Sequence, residues 1–196
     1  MGAEAVDVTG VLCVCASLRR GSAVRDDTGV NGSVREWELG WTLFDGDDYH
    51  PMENIDRMAK GIPLCDEDRI PWLLVLHDII LREMSSGRNA ILICSALKRV
   101  YRETLLFGTE ISNLKCREEQ RDRVKGILFV YLHGSIELIS KRMATRKGHF
   151  MAPSLIQSQF DILEPPSASE NSITLDIEKS IPEIAAEIES ALPSYL

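Results

Sequence analysis

The chain has 196 residues, 44% of them apolar and 27% charged, with a formal net charge of −8. That length supports one domain with a full core, and the acidic balance argues against a nucleic-acid binder, whose footprint is basic. Five cysteines, an odd number with no C-x-x-C pair, suggest neither a disulfide framework nor a zinc site and suit a reducing, cytoplasmic setting.

The first apolar run, residues 11–16, is too short to cross a membrane. Glu4 and Asp7 precede it where a signal peptide would carry basic residues, so no membrane partner is expected. Cys13 and Cys15 fall on one face of this run and read as core packing. Residues 17–37, "SLRRGSAVRDDTGVNGSVRE" and the tryptophan after it, are polar, contain glycines and read as loop, with at most a short helix over 33–39. A second apolar run, 41–45, leads into "DGDDYHP". Residues 66–86 carry apolar side chains at three- and four-residue spacing, open on acids and end at Gly87, which predicts a long helix. Further strands are expected at 90–94, 127–132 and 173–177, and further helices at 98–107, 135–146 and 181–192. Strands alternating with helices predict an α/β fold: a three-layer sandwich with a parallel sheet of about five strands and helices on both faces.

Such sheets bind ligands at the carboxyl ends of their strands. Two of those ends are polar here. One carries Asp45, Asp47, Asp48 and His50, the other Ser95, Lys98 and, one helical turn further, Arg102. Three carboxylates so close together repel unless a cation or a polar ligand shares the space. A solvated acidic turn is the alternative. A third cluster, "RMATRKGHF", places Arg142 and Arg146 four residues apart on one helix face and runs on through Lys147.

Several stretches taken together resemble the gluconokinase family of small P-loop kinases. They are "ELGWTLFDGDDYHPMENIDRMAKGIPLCDEDRIPWL", "CSALKRVYRE", "RKGHFMAPSLIQSQFDILEPP" and "LDI", in this order from residue 38 onward. The resemblance implies a P-loop NTPase-like fold, a single kinase-like domain over 1–196 with a lid-like region at 142–160, and transfer of the γ-phosphate of ATP to the 6-hydroxyl of D-gluconate. Asp45 would then hold Mg²⁺ through water. Asp47 would accept a hydrogen bond or a proton from the sugar-acid hydroxyl, assisted by Asp48, with His50 and Ser95 facing other hydroxyls. The substrate carboxylate needs a cation, for which Lys60, Arg69, Lys98 and Arg102 are candidates. Arg69 is favoured because its planar fork matches a carboxylate. Arg142, Arg146 and Lys147 would close over ATP and balance charge on the transferring phosphoryl group. The loop 164–171 resembles the one that receives adenine. The expected partners are D-gluconate and ATP, with a homodimer as the oligomeric option.

One element of the pattern is missing. The family places G-x-x-x-x-G-K-[ST] after the first strand, where backbone amides cradle the phosphates. Residues 17–37 hold no such motif, and no Gly-Lys pair occurs anywhere in the chain. Two functions therefore stand side by side: an ATP-dependent gluconokinase, and a relative that binds the sugar acid without turnover.

Overall fold

The computed structural model describes residues 10–15, 41–109, 126–145 and 154–195. The expectations for 17–37, including the short helix at 33–39, lie outside these. The strands are β1 (Gly10–Cys15), β2 (Thr42–Asp45), β3 (Ala90–Cys94), β4 (Ile127–His133) and β5 (Ser172–Asp176). They form one sheet in the order β2-β3-β1-β4-β5. The helices are α1 (Met52–Ala59), α2 (Asp66–Ser85), α3 (Arg99–Phe107), α4 (Ile136–Thr145), α5 (Leu155–Asp161) and α6 (Ile181–Tyr195).

β4 shows why the sheet needs helices on both sides. Ile127, Phe129 and Tyr131 pack on one face with Trp72, Leu73, Leu76 and Ile80 of α2 and Tyr101 and Leu105 of α3. The alternate residues Leu128, Val130 and Leu132 pack on the other with Ile139 and Met143 of α4, Ile156 of α5 and Ile188 and Leu192 of α6. A strand apolar at every position can be buried only between two helical layers. Each fully buried leucine or isoleucine in these layers stabilises the fold by about 1.5–3 kcal/mol. The α/β three-layer class expected from the sequence is the class observed. The clearest sequence signals, the strand at 90–94 and the long helix from Asp66, are placed within a residue of their expected limits. Helix α5 carried no separate signal, because its seven residues are too few to establish a period.

The sheet departs from expectation in one strand. β2 and β3 are parallel, with Asp45 opposite Ile93, and so are β4 and β5, with His133 opposite Asp176. β1 runs antiparallel to both neighbours, with Gly10 opposite Leu132 and Cys15 opposite Ala90 and Ile127. The physical reason lies in what sets strand direction. A short run apolar throughout has no preferred sense of its own. A parallel neighbour is enforced by a crossover, usually helical, and residues 17–37 carry no amphipathic helical pattern to supply one.

The consequence is positional. Asp45, Cys94, His133 and Asp176 mark a common rim at the carboxyl ends of four strands. β1 brings its first residue to that rim and its last, Cys15, to the opposite one. A cysteine introduced as Ala90→Cys tests this register. Directly opposed residues of antiparallel strands lie about 4.5–5.5 Å apart at Cα, a span that a disulfide bridges. Mild oxidation is expected to link positions 15 and 90, read by peptide mass spectrometry. A parallel β1 would put Gly10 at that end and yield no link.

Candidate active site at the sheet rim

The acidic turn begins as β2 ends. Asp45 Oδ1 accepts the backbone N–H of Asp47 at 3.0 Å, which caps the single 3₁₀ turn Gly46–Tyr49. One of the three crowded carboxylates is thus held by backbone. Asp47 is half-buried and Asp48 is exposed. Gly46 lies against the end of β3: a Cβ there would stand 2.7 Å from the Ile93 carbonyl oxygen and 3.0 Å from Cys94 Cβ. Only glycine permits the turn to sit so close to the sheet.

His50 follows. It is buried, and its ring stacks on Trp72 at 4.1 Å with 14° between the planes. Its Nδ1 is buried without a hydrogen-bond partner among the described residues. Burial is the main cause that lowers its pKa to about 4; Asp47 opposes this and the Arg69 guanidinium adds to it. His50 is therefore neutral at physiological pH. In the unfolded chain a histidine takes up its proton below about 6.5, but the folded one resists until about 4. Stability should be fully present above pH 6.5 and fall as pH drops toward 4. Discounting for its partly open side, the loss is about 2 kcal/mol. Denaturant titrations of the His50→Asn variant should show a flatter slope across that window; an unchanged slope would place the titration elsewhere.

The cations separate into committed and uncommitted. Lys98 Nζ donates to Asp66 Oδ1 at 2.7 Å, and Tyr101 Oη donates to the same oxygen at 2.5 Å. Arg57 takes Asp68 at 2.7 Å. Arg102 is only 1% exposed and is consumed by five hydrogen bonds. Two reach the Glu170 carboxylate, at 2.5 and 3.1 Å, and three reach the carbonyls of Ala96, Leu97 and Glu164. Arg102, a candidate for the substrate carboxylate, thus already holds a carboxylate in its fork. Lys60 is exposed at the end of α1. Ser95 is half-buried just past β3.

Arg69 differs from all of these. It is 4% exposed, on the first turns of α2. Its Nε donates weakly to the Leu64 carbonyl at 3.5 Å, and its guanidinium carbon lies 5.8 Å from the centre of the Tyr101 ring. The carboxylates whose charge reaches Arg69, Asp66 and Asp68, are engaged by Lys98 and Arg57. No ion pair joins Arg69 to any described carboxylate. A buried guanidinium is costly to leave in this state.

On the lid side, Arg142 Nη2 donates to the Ile177 carbonyl at 2.7 Å. Arg146 and Lys147 lie outside the described residues. The loop 164–171 is clasped from beneath: Arg102 holds Glu170, and Glu164 Oε2 accepts the backbone N–H of Arg99 at 2.7 Å, closing the amino end of α3. Sequence reading missed both acids, since partners 65 and 68 residues apart leave no local signature. It also missed Asn54, buried in α1, whose Nδ2 donates to the Asp68 carbonyl at 3.0 Å and ties α1 to α2.

This rim can be set beside known proteins. No protein-family model matches the chain. A probable gluconokinase of Mus musculus is 50% identical over 163 residues, covering 82% of this chain and 89% of the relative. The thermosensitive gluconokinase of Escherichia coli is 38% identical over 155 residues, covering 79% and 75%. The chain belongs to the gluconokinase family. Among solved structures, a gluconokinase from Sinorhizobium meliloti superimposes with a TM-score of 0.61 at 36% identity, over 80% of this chain and 79% of that one. A sugar kinase from Janibacter gives 0.64, also at 36% identity, over 80% and 81%. The P-loop NTPase-like fold class follows from these neighbours.

In this gluconokinase chain the rim gathers a buried guanidinium with no ion pair to a described carboxylate, a neutral imidazole and half-buried acids. Among the described residues no comparable cluster of cations gathers for a triphosphate. The sequence lacks the family's glycine-lysine loop, and Cys15, the last residue of β1, lies at the end of the sheet opposite Asp45. Among the described residues no three His, Cys, Asp or Glu side chains gather as a metal site, and Asp45 already caps its turn.

Proposed function

We propose that this chain recognises D-gluconate at the rim between β2, β3 and the amino end of α2, as the sugar-acid half of gluconokinase. The reaction of that reading joins ATP and D-gluconate to ADP and 6-phospho-D-gluconate, with Mg²⁺ as metal. The observation that carries it is Arg69, a buried guanidinium with no described carboxylate on it, beside a histidine whose Nδ1 has no described partner. A molecule with one carboxylate and several hydroxyls satisfies both. Arg69 takes the carboxylate by a paired, charge-assisted contact. Asp47 accepts from the hydroxyl to be phosphorylated, and His50, Asp48 and Ser95 meet others. Lys60 adds positive field at the mouth, and Lys98, whose charge is met by Asp66, is assigned to the same end of the site. Asp45 is the residue assigned toward Mg²⁺, and Arg142, Arg146 and Lys147 are assigned toward ATP. The proposed setting is the cytoplasm, with a homodimer as the assembly. No described helix is long and apolar enough to cross a membrane.

The direction of β1 favours a second reading, in which the chain binds the sugar acid and does not turn it over. Phosphoryl transfer rests on positioning and electrostatics. Removing one preorganised donor from comparable sites costs about 3–4 kcal/mol, and here the amide cradle, its lysine and its hydroxyl are all missing from the sequence. Two measurements on the full chain decide. Calorimetry with D-gluconate alone is expected to show saturable binding, and its failure removes both readings. ADP release with D-gluconate and MgATP then separates them: turnover supports the kinase, and binding without turnover supports the second reading.

A further inference from the structure

We infer that Trp72 is a positioning residue that fixes the distance between the two ends of the sugar-acid site and so sets which acid length the site accepts. The inference rests on the D-gluconate reading above.

The two ends sit on different elements. Arg69, assigned to the carboxylate, is on α2, and Asp47, assigned to the far hydroxyl, is on the turn after β2. More than twenty residues of chain separate them, including all of α1. The covalent path therefore does little to hold their spacing, and a direct tie has to do it. Trp72 is that tie. It lies one helical turn from Arg69 on α2, so the two share a face, and it is completely buried. Its Nε1–H donates to the Gly46 carbonyl at 2.7 Å, across the gap to the acidic turn. Its ring stacks on His50, the residue immediately after that turn. The same ring closes the third side of the Gly46 position, where a Cβ would meet Trp72 Cζ2 at 3.2 Å as well as the β3 backbone. The turn is thus held at its first residue by a hydrogen bond and just past its last by a stacked ring, both from one side chain.

Core packing alone does not account for this pattern. A buried indole N–H needs an acceptor, but packing does not dictate that its acceptor and its stacking partner flank the acidic turn on both sides. The indole N–H is satisfied by the one carbonyl that opens the acidic turn. Losing that bond lets the turn shift relative to Arg69. A misplacement on the order of 1 Å is enough to cost about 100-fold in the rate of a reaction that depends on such positioning, and adding or removing one carbon from the ligand changes its span on the same scale.

The test measures length discrimination in place of affinity alone. Calorimetry on the full chain compares D-gluconate with a five-carbon and a seven-carbon aldonic acid. The unaltered protein is expected to prefer the six-carbon acid by at least about tenfold over each. Trp72→Phe keeps an aromatic ring against His50 and removes the donor. It is expected to weaken D-gluconate binding and to reduce the preference to about threefold or less. Should Trp72→Phe fail to fold, replacing Trp72 by benzothienylalanine, which keeps the bicyclic shape and lacks the N–H, gives the same comparison. A purely structural role predicts equal weakening for all three acids, and an unchanged ratio in either variant overturns the inference while leaving the D-gluconate reading intact. If the unaltered protein binds all three lengths equally, the inference also falls. If it binds none, the underlying reading falls with it.

Discussion

Replacing Arg102 by methionine is expected to destabilise the fold by about 3–5 kcal/mol, the cost typical of breaking a buried ion pair from one side. The reason is what the substitution leaves behind. Glu170 would lose both of its bonds from the guanidinium, and the carbonyls of Ala96, Leu97 and Glu164 would lose a shared donor. Burial by itself would raise the Glu170 pKa; the hydrogen bonds from Arg102 and Ser167 overcome this and hold it below the usual carboxylate value. Its contribution to stability is therefore present above that value and is lost as pH falls through the folded pKa. In the Arg102→Met variant the carboxyl is stranded and favours protonation. The penalty measured by denaturant unfolding should accordingly shrink as the pH is lowered toward 4.5. A variant within about 1 kcal/mol of the parent at pH 7 would show that the clasp contributes little. The same substitution should disturb the site only indirectly, because Arg102 holds the segment after Ser95 and the 164–171 loop together and is itself sealed from the rim.

The strands at 90–94 and 127–132 were legible because burial on both faces leaves an unbroken apolar run, and α2 because its period and its acidic first turn agree. The acidic turn was legible as a site because strand ends in this class of sheet bind ligands. The direction of β1 was not legible, since an apolar hexapeptide packs equally well either way and its sense depends on the connection that follows. Nor could the sequence sort its cations. Arg69, Lys98 and Arg102 all sit near polar strand ends, and which of them is already paired depends on Asp66 and Glu170, 32 and 68 residues away from their partners. The tie made by Trp72 was equally hidden, because the carbonyl that accepts its proton is 26 residues distant.

Arg69→Met is expected to do the opposite of Arg102→Met. It should leave the melting midpoint unchanged or higher while weakening D-gluconate binding by about 100- to 1,000-fold, the equivalent of about 3–4 kcal/mol. Both arginines are almost fully buried, at 4% and 1% exposed, so burial does not distinguish them. Pairing does. The charge of Arg102 is met by a carboxylate and three carbonyls, so its removal orphans them. The charge of Arg69 has one long bond to the Leu64 carbonyl and an aromatic face, and the two acids whose charge reaches it, Asp66 and Asp68, are held by other cations. Removing it orphans almost nothing and relieves the desolvation of an unpaired cation, which is the circumstance in which an apolar replacement is neutral or stabilising. A fold retains such a residue at a cost only when something outside the fold repays it, and an anion is the partner a guanidinium requires. Arg69→Lys should fall between, at about tenfold, because an ammonium keeps the charge and loses the two-pronged geometry. Thermal melts and calorimetry on the two variants settle the matter together. If Arg69→Met melts several degrees lower and binds D-gluconate normally, the residue is structural and the carboxylate is held elsewhere. If it keeps its midpoint and loses the ligand, the energetic debt visible in the empty-handed arginine is the measure of how tightly this rim was built to hold an acid.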